Sequence, residues 1–214
     1  RQGKIQIRVD CRGQGAQDLA ALGPEWNELL SDAPNKSAFL KHQWMSTWLR
    51  LIGSGSHSRQ LFILTARDAQ LRLVGILPLY RETHGSGPFR YRALRFVGTT
   101  HETPEHLDAI VRSADHARIL QALVAGLSAH RNEYDALLLT DLAEDALLTP
   151  ALARWGESNG FSYRSWTWNV CPYLTTEGSF EDYMKTVSSK HRYKVRLFGR
   201  RLAESYQVEF EVAR

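Results

Sequence analysis

The sequence predicts an α/β fold in which helices pack against a sheet. Segments with period-two alternation or continuous apolar character, such as residues 60–66, indicate strands. Segments whose apolar residues recur every three or four positions, such as residues 19–30, indicate amphipathic helices. Along the chain the order is strand, two helices, hairpin, strands, helix, strand, helix, strand. That mixed order excludes a helical bundle and an all-β sandwich.

The first half of the chain is predicted to hold a strand, two helices and a hairpin. Residues 4–9 alternate and predict the strand, and helices follow at residues 19–30 and 39–52. The hairpin pairs residues 60–66 with residues 71–80. Proline is poorly tolerated inside a ladder, so a bulge or a splayed end is expected near Pro78. Three tryptophans on the helices are predicted to lie in the core: Trp26, Trp44 and Trp48.

The middle of the chain continues the layered pattern. Strands are predicted over residues 91–97 and, briefly, 107–111. Helices are expected at residues 117–130 and 146–159. The apolar run A-L-L-L-T at residues 136–140 is typical of a buried central strand. Residues 163–170 alternate again and predict a late strand.

Residues 179–206 predict one long amphipathic helix. Ser179 is a favourable N-cap with Asp182 three residues later. Residues 185–203 carry seven of the chain's 27 Lys and Arg and no acidic residue, so the remainder holds 20 cations against 23 acids. The net charge of +4 is therefore a property of this one segment. Such a distribution argues against nucleic-acid binding over the whole surface and favours one local anionic partner or a solvated helix face.

Length and composition limit the class of protein. A chain of 214 residues suits one domain, or one domain and part of a second. No apolar run approaches the ~20 residues that span a bilayer, and the N-terminus lacks a signal-peptide core. The two cysteines, Cys11 and Cys171, form no C-x-x-C pair, which argues against a zinc site and a disulfide framework. These features predict a cytoplasmic protein without a metal.

A polar loop provides the candidate catalytic residues. The segment H-E-T-P-E-H-L-D at residues 101–108 follows a predicted strand end, where functional side chains often lie. Carboxylate or imidazole groups of Glu102, His106 or Asp108 are candidate general bases. The alternative is a merely polar loop. The His and Glu residues of the segment do not have the spacing H-E-x-x-H, so the segment does not indicate a metal site.

The basic helix provides the candidate anion-binding residues. Arginine suits bidentate contacts to oxyanions. The candidates for a substrate or a phosphate group are Lys190, Arg192, Arg196 and Arg200. The alternative is a solvated face whose cations extend over the apolar stripe into water.

The order and spacing of several segments resemble one family. The chain looks like the CelD-type proteins of cellulose and exopolysaccharide gene sets, in the GNAT superfamily of acyltransferases. The segments that carry this resemblance are P-E-W-N-E-L-L at residues 24–30, Phe39 with Trp44 and Trp48, L-V-G-I-L-P-L-Y at 73–80, L-R-F-V-G at 94–98 and S-S-K-H-R-Y-K-V-R at 188–196.

The resemblance implies a fold and a domain organisation. CelD-type proteins are similar to the Fem-type transferases, which have two tandem GNAT-like domains. Residues 1–174 would form a GNAT-like domain with a mixed, mostly antiparallel sheet flanked by helices. Residues 175–214 would supply the long basic helix and first strand of a second, truncated GNAT-like domain.

The resemblance also implies an activity. An acyl-CoA N-acyltransferase would use acetyl-CoA or another acyl-CoA as co-substrate. It would modify an amine of a sugar or peptide precursor in polysaccharide or envelope biosynthesis. Two alternatives stay open: a non-catalytic GNAT-like module that binds a substrate or partner, and a nucleic-acid binder that uses residues 185–201. The oligomeric state is not indicated.

One motif of that superfamily is not matched. GNAT enzymes bind the CoA pyrophosphate with a Gln/Arg-x-x-Gly-x-Gly/Ala turn at a helix start. The nearest match is R-G-Q-G-A at residues 12–16, but Gln17 stands where the motif needs Gly or Ala. The CoA-binding turn is therefore expected to lie beyond Arg214.

Overall fold

The structure is a computed structural model that describes residues 7–12, 16–52, 59–99, 104–174 and 178–209. The chain divides into two compact units, Arg1–Trp168 and Asn169–Arg214. The interpretation of the second unit as the start of another GNAT-like domain stays a prediction.

The first unit is built on one sheet. Its described strands are β1 (Arg8–Arg12), β2 (Arg59–Arg67), β3 (Leu73–His84), β4 (Tyr91–Phe96), β5 (Ile110–Val111) and β6 (Ala136–Leu137). The order is β1-β2-β3-β4-β6, and β5 pairs with the beginning of β3. Every described strand pair is antiparallel except β4 with β6. This confirms the predicted mixed, mostly antiparallel sheet flanked by helices.

Helices cover both faces of the sheet. The described helices of this unit are α1 (Ala16–Ala21), α2 (Gly23–Asp32), α3 (His42–Leu51), α4 (His116–Ala129) and α5 (Leu148–Ser158). Side chains of α4 reach Gly75 on one face, and Trp48 of α3 packs 5.0 Å from the Tyr80 ring. Gly75 and Tyr80 lie five residues apart on β3 and therefore face opposite sides. The sheet is the middle of three layers.

The predicted elements of this unit are largely confirmed. The hairpin, the strand from residue 91 and the helices at 117–130 and 146–159 are all present. The helix predicted over 19–30 is two helices that meet at Leu22. The first strand was expected at 4–9, but β1 begins at Arg8, and residues 4–6 lie outside the described ranges. Trp26 and Trp48 are buried as predicted, and Trp44 is half-buried.

Pro78 lies where β3 changes its neighbour. The ladder with β2 continues past Pro78, which is opposite Ile63. On the other side, β5 pairs with β3 up to Ile76, and β4 pairs with it from Leu79. The carbonyl of Pro78 accepts a hydrogen bond from Val97, so the position of its missing N–H faces this gap. The expected interruption therefore exists, on the β4–β5 side only.

Two strand predictions in this region are wrong. The run at residues 136–140 was expected to be central, but β6 is the last strand of the sheet and its residues are half-exposed. Residues 163–170 form no strand, and the side chains of Trp166 and Trp168 are exposed. Alternation marks a segment that can form a strand, but a strand also needs a partner, and none of the described residues pairs with this one.

The second unit contains two helices, α6 (Phe180–Thr186) and α7 (Ser189–Ser205). The predicted single helix over 179–206 is wrong, because Val187 and Ser188 are extended. The predicted capping of the first helix is confirmed, since Ser179 and Asp182 form a capping box. Ser188 restarts the helix by accepting a hydrogen bond from the His191 N–H.

None of the helices formed by the described residues is long and apolar enough to cross a membrane.

Candidate functional site

The parallel strands β4 and β6 pair at Leu94 and Leu137. The segments that follow the two strands form an isolated parallel bridge between Leu107 and Leu142. The described part of the polar loop, residues 104–108, belongs to this interval. Backbone N–H and C=O groups outside a ladder need other partners, so this interval is a candidate place for a ligand.

The structure describes two of the three predicted bases. Glu102 lies outside the described residues. His106 is exposed, has a left-handed backbone with φ of 56°, and its carbonyl accepts a hydrogen bond from Asn35 at 2.8 Å. Asp108 is buried two residues further on.

Asp108 connects the loop to the start of α5. Its Oδ1 accepts hydrogen bonds from the backbone N–H groups of Ala109 and Leu148 at 2.8 and 3.0 Å. Its Oδ2 accepts one from Leu147 at 2.7 Å. Burial raises the pKa of Asp108, and these three hydrogen bonds only partly oppose that effect. This is the geometry of a helix cap. Asp108 is distant in sequence from the start of α5, so local sequence patterns do not reveal this cap. The role of Asp108 as a base stays a prediction.

The four predicted anion-binding residues differ in their surroundings. Lys190, Arg196 and Arg200 are exposed on α7. The Arg192 guanidinium instead donates hydrogen bonds to the carbonyls of Met184, Lys185 and Val187, at 3.0, 3.2 and 2.8 Å. Arg192 thereby supplies hydrogen-bond donors to the backbone carbonyls at the C-terminal end of α6. Arg192 and Arg196 also line a groove between the two helices, together with Phe180, Met184, Val195 and Gly199.

A turn that the sequence analysis missed precedes α4. Residues 112–117 read R-S-A-D-H-A and lead from β5 into the 14-residue helix α4. Arg112 and Ala117 stand where the Gln/Arg-x-x-Gly-x-Gly/Ala pattern has its first and last residues, but Asp115 replaces the first glycine. A search that required the glycine passes over this turn. The signal that would have found it is the arginine directly after a strand and before a helix.

The side chains of this turn are bound to one another. Arg112 Nη2 donates to Asp115 Oδ2 at 2.6 Å, and Nη1 donates to Asp68 Oδ2 at 3.4 Å. Asp68 is almost completely buried and also binds Arg72 through an ion pair of 2.8 Å. Burial acts against ionisation of Asp68, but hydrogen bonds from Arg72 and Gln70 outweigh it and lower its pKa. Asp68 is therefore an ionised partner of Arg112 at neutral pH.

This turn does not fit the pyrophosphate of an acyl-CoA. A carboxylate occupies the positive end of the helix, where a phosphate would bind, and like charges repel there. The arginine that would meet the phosphate is already paired twice. The other near match, at residues 12–16, includes residues 13–15, which lie outside the described ranges, and it runs into α1, which has only six residues. The acyl-CoA predicted from the family resemblance thus has no fitting phosphate turn among the described residues.

No group of three or more His, Cys, Asp or Glu side chains in the described ranges is arranged to hold a metal ion.

Fold and site together define a three-layer α/β domain with one parallel strand pair, β4 with β6, at the end of its described sheet. No protein-family model matches the chain, and no curated protein matches it. Among solved structures, it is similar to an integron cassette protein from the mobile metagenome of V. cholerae, with 15% identity and a TM-score of 0.42 over 84% of this chain and 98% of the other.

Two named acetyltransferases are also similar in structure. The aminoglycoside 6'-N-acetyltransferase AAC(6')-Ih of Acinetobacter baumannii has 12% identity and a TM-score of 0.40, over 79% of this chain and 100% of the other. The ribosomal-protein-alanine N-acetyltransferase of Brucella melitensis has 14% identity and a TM-score of 0.39, over 78% and 99%. Likenesses of this size do not assign the chain to a family.

Proposed function

We propose that the chain belongs to an acyl-CoA N-acyltransferase that modifies an amine of a sugar or peptide precursor in polysaccharide or envelope biosynthesis. Residues 1–174 would be its GNAT-like lobe that shapes the acceptor site and does not hold acyl-CoA. The motif resemblance to CelD-type proteins supports the class of enzyme. The observation that carries the division of labour is the Arg112–Asp115 ion pair at the start of α4.

The proposed role of this lobe rests on the interval between the β4–β6 pairing and the bridge of Leu107 with Leu142. Backbone groups of this interval would orient the acceptor, and Glu105 and His106 are exposed polar residues there. Glu102, His106 and Asp108 stay the predicted bases for the amine proton. Of these, Asp108 already uses both oxygens to cap α5.

The second unit would begin the lobe that binds acyl-CoA. Most of the large apolar side chains on one side of α7, including Phe198 and Leu202, are exposed. An apolar helix face of this kind is usually covered by another layer of a domain. Lys190, Arg196 and Arg200 stay the predicted phosphate-binding residues, whereas Arg192 is engaged at the end of α6.

Calorimetry with acetyl-CoA tests the division of labour. The 214-residue chain should show no saturable binding. Asp115→Gly restores a glycine and removes the competing carboxylate, so it should introduce measurable binding of acetyl-CoA and of pyrophosphate. Ala114→Gly is the matched control, because it adds a glycine to the same turn and keeps the carboxylate.

Two results would contradict the proposal. Saturable acetyl-CoA binding by the unmodified chain, displaced by pyrophosphate, would show that the lobe holds the co-substrate itself. No gain in the Asp115→Gly variant would show that Asp115 is not what excludes it. The activity is tested separately, by thiol release from acetyl-CoA when the complete gene product is given a panel of amino sugars and peptides.

A further inference from the structure

One arginine inside the sheet pairs with none of the residues that the structure describes. Arg95 lies on β4, directly opposite Tyr80 of β3. Its side chain is half-buried, and its Nε is buried without a hydrogen-bond partner. No ion pair of Arg95 occurs among the described residues. The nearby Arg92 shows the usual arrangement, with two hydrogen bonds from its guanidinium to Asp135 at 3.0 and 3.1 Å.

The acidic residue nearest to Arg95 in the strand register already has two other partners. Glu82 lies two residues after Tyr80 and therefore on the same face of β3. Its Oε1 accepts a hydrogen bond from Arg59 Nε at 2.7 Å, and its Oε2 is 3.1 Å from His84 Nε2. Arg59 and Glu82 neutralise each other. Arg95 therefore adds a positive charge that no described acidic residue pairs with.

This face of the sheet is closed by α3 and its aromatic side chains. Trp48 packs on Tyr80, and the Tyr80 hydroxyl donates to the Thr99 carbonyl at 2.9 Å. Trp44 presents a second buried donor without a partner, its indole Nε1. That nitrogen lies 2.9 Å from the point where a Cβ would stand on Gly98, three residues after Arg95. Two buried donors without a partner among the described residues thus occur at the same end of β4.

A guanidinium that loses water without gaining an acceptor is unfavourable, because desolvation of a charge is offset only by pairing and hydrogen bonds. A ligand oxyanion would supply an acceptor that none of the described residues supplies. Guanidinium groups match carboxylates through two parallel hydrogen bonds. One surplus positive charge matches one carboxylate, whereas a phosphate dianion would place excess negative charge beside Glu82.

We propose that Arg95 is the anchor of a carboxylate-binding site on the α3 face of the sheet, so that the amine acceptor is an amino carboxylate. This deepens, and rests on, the proposed N-acyltransferase function for the identity of the acceptor. The site itself is independent of acyl-CoA.

Nuclear magnetic resonance of the Arg95 Nε–H group tests the site in the whole chain. Free glycine should shift this resonance saturably, and ethanolamine, which has the same amine without the carboxylate, should not. Arg95→Leu should weaken glycine binding about tenfold or more, since a hydrogen bond to a charged group contributes at least that factor. Arg90→Leu removes an exposed arginine on the adjoining hairpin and should leave the affinity unchanged.

Stability measurements separate binding from structure. Arg95→Leu and Arg95→Gln should unfold at the same temperature as the unmodified chain or higher, because neither loses a partner. Marked destabilisation in both variants would assign Arg95 a structural role and overturn the proposal. So would the absence of a glycine-induced shift, equal affinity in the Arg95→Leu variant, or tighter binding of inorganic phosphate than of glycine.

Failure of the site and failure of the enzyme function are distinguishable. Glycine binding without acyl transfer by the complete gene product would refute the transferase and keep the site. Acyl transfer that is indifferent to a carboxylate on the acceptor and to Arg95→Leu would keep the transferase and refute the site.

Discussion

Replacing Asp108 with alanine removes the acceptor of two backbone N–H groups at the start of α5, those of Leu147 and Leu148, and of the N–H of Ala109 beside it. The hydrogen bonds are 2.7–3.0 Å long, and the carboxylate is buried, so water cannot take its place. Helix caps contribute about 1 kcal/mol, and a buried donor left unsatisfied costs about 1–3 kcal/mol. We expect the free energy of unfolding to fall by roughly 2–4 kcal/mol on these grounds. Urea unfolding followed by tryptophan fluorescence measures it.

A variant that keeps part of the cap sharpens this test. Asp108→Asn retains one acceptor oxygen and should lose about half as much stability. Glu144→Ala is the control, because it removes an exposed carboxylate from the preceding turn. A loss below about 0.5 kcal/mol for Asp108→Ala, the level of an ordinary surface substitution, would refute the assignment of Asp108 as a cap.

The pH dependence of the same variants follows from the raised pKa of Asp108. A carboxyl whose folded pKa exceeds the unfolded value of about 3.9 contributes stability below that value and loses it as pH rises through the folded pKa. The asparagine variant does not titrate. The stability difference between the unmodified chain and Asp108→Asn should therefore narrow as pH rises from about 4. A difference that widens with pH would contradict the direction of the shift.

Three further outcomes are expected. Gly75→Ala places a Cβ 2.4 Å from a methyl group of α4, which should cost about 1–3 kcal/mol in urea unfolding, whereas Gly199→Ala meets nothing within 4 Å and should not destabilise. Burial raises the pKa of Cys11 to about 11, so at pH 8 a disulfide reagent should label the exposed Cys171 first, and equal rates would contradict this. Arg192→Ala removes hydrogen bonds to three carbonyls at the end of α6, so circular dichroism should show less helix, and an unchanged spectrum would exclude a capping role.

Sequence reasoning succeeded where structure depends on nearby residues. Helix α4 follows from its apolar spacing, and the β2–β3 hairpin follows from two strand patterns separated by a short turn. The capping box of Ser179 and Asp182 is likewise local. Trp26 and Trp48 were correctly assigned to the core, because large aromatic residues on an amphipathic face are rarely left in water.

The errors have distinct physical causes. The apolar stripe of residues 179–206 stays in phase across Val187 and Ser188, so periodicity alone could not reveal the break that Ser188 and Arg192 create. The late strand failed because alternation does not supply a pairing partner. The contacts of Asp108 join residues 39 and 40 positions apart, beyond any local pattern.

The motif pattern did not identify the turn at residues 112–117, and the reason is chemical. The motif requires a glycine whose backbone N–H can bind a phosphate. Asp115 stands at that position, and its carboxylate repels a phosphate instead. The sequence did not indicate Arg95 as a candidate site residue, because a single arginine at a polar position of a predicted strand is common. Only the structure shows that Arg95 forms no ion pair with the described residues.

The end of the sheet at β6 affects how the protein behaves in concentrated solution. Leu138, directly after this short strand, is 38% exposed. The outer side of such a strand carries hydrogen-bonding groups that any extended polypeptide can use. An extended segment of another molecule that paired with β6 would lengthen the sheet without unfolding it. Solubility and thermal stability are thus governed by different parts of this chain, and a charged residue at Leu138 would alter the first while leaving the buried core intact.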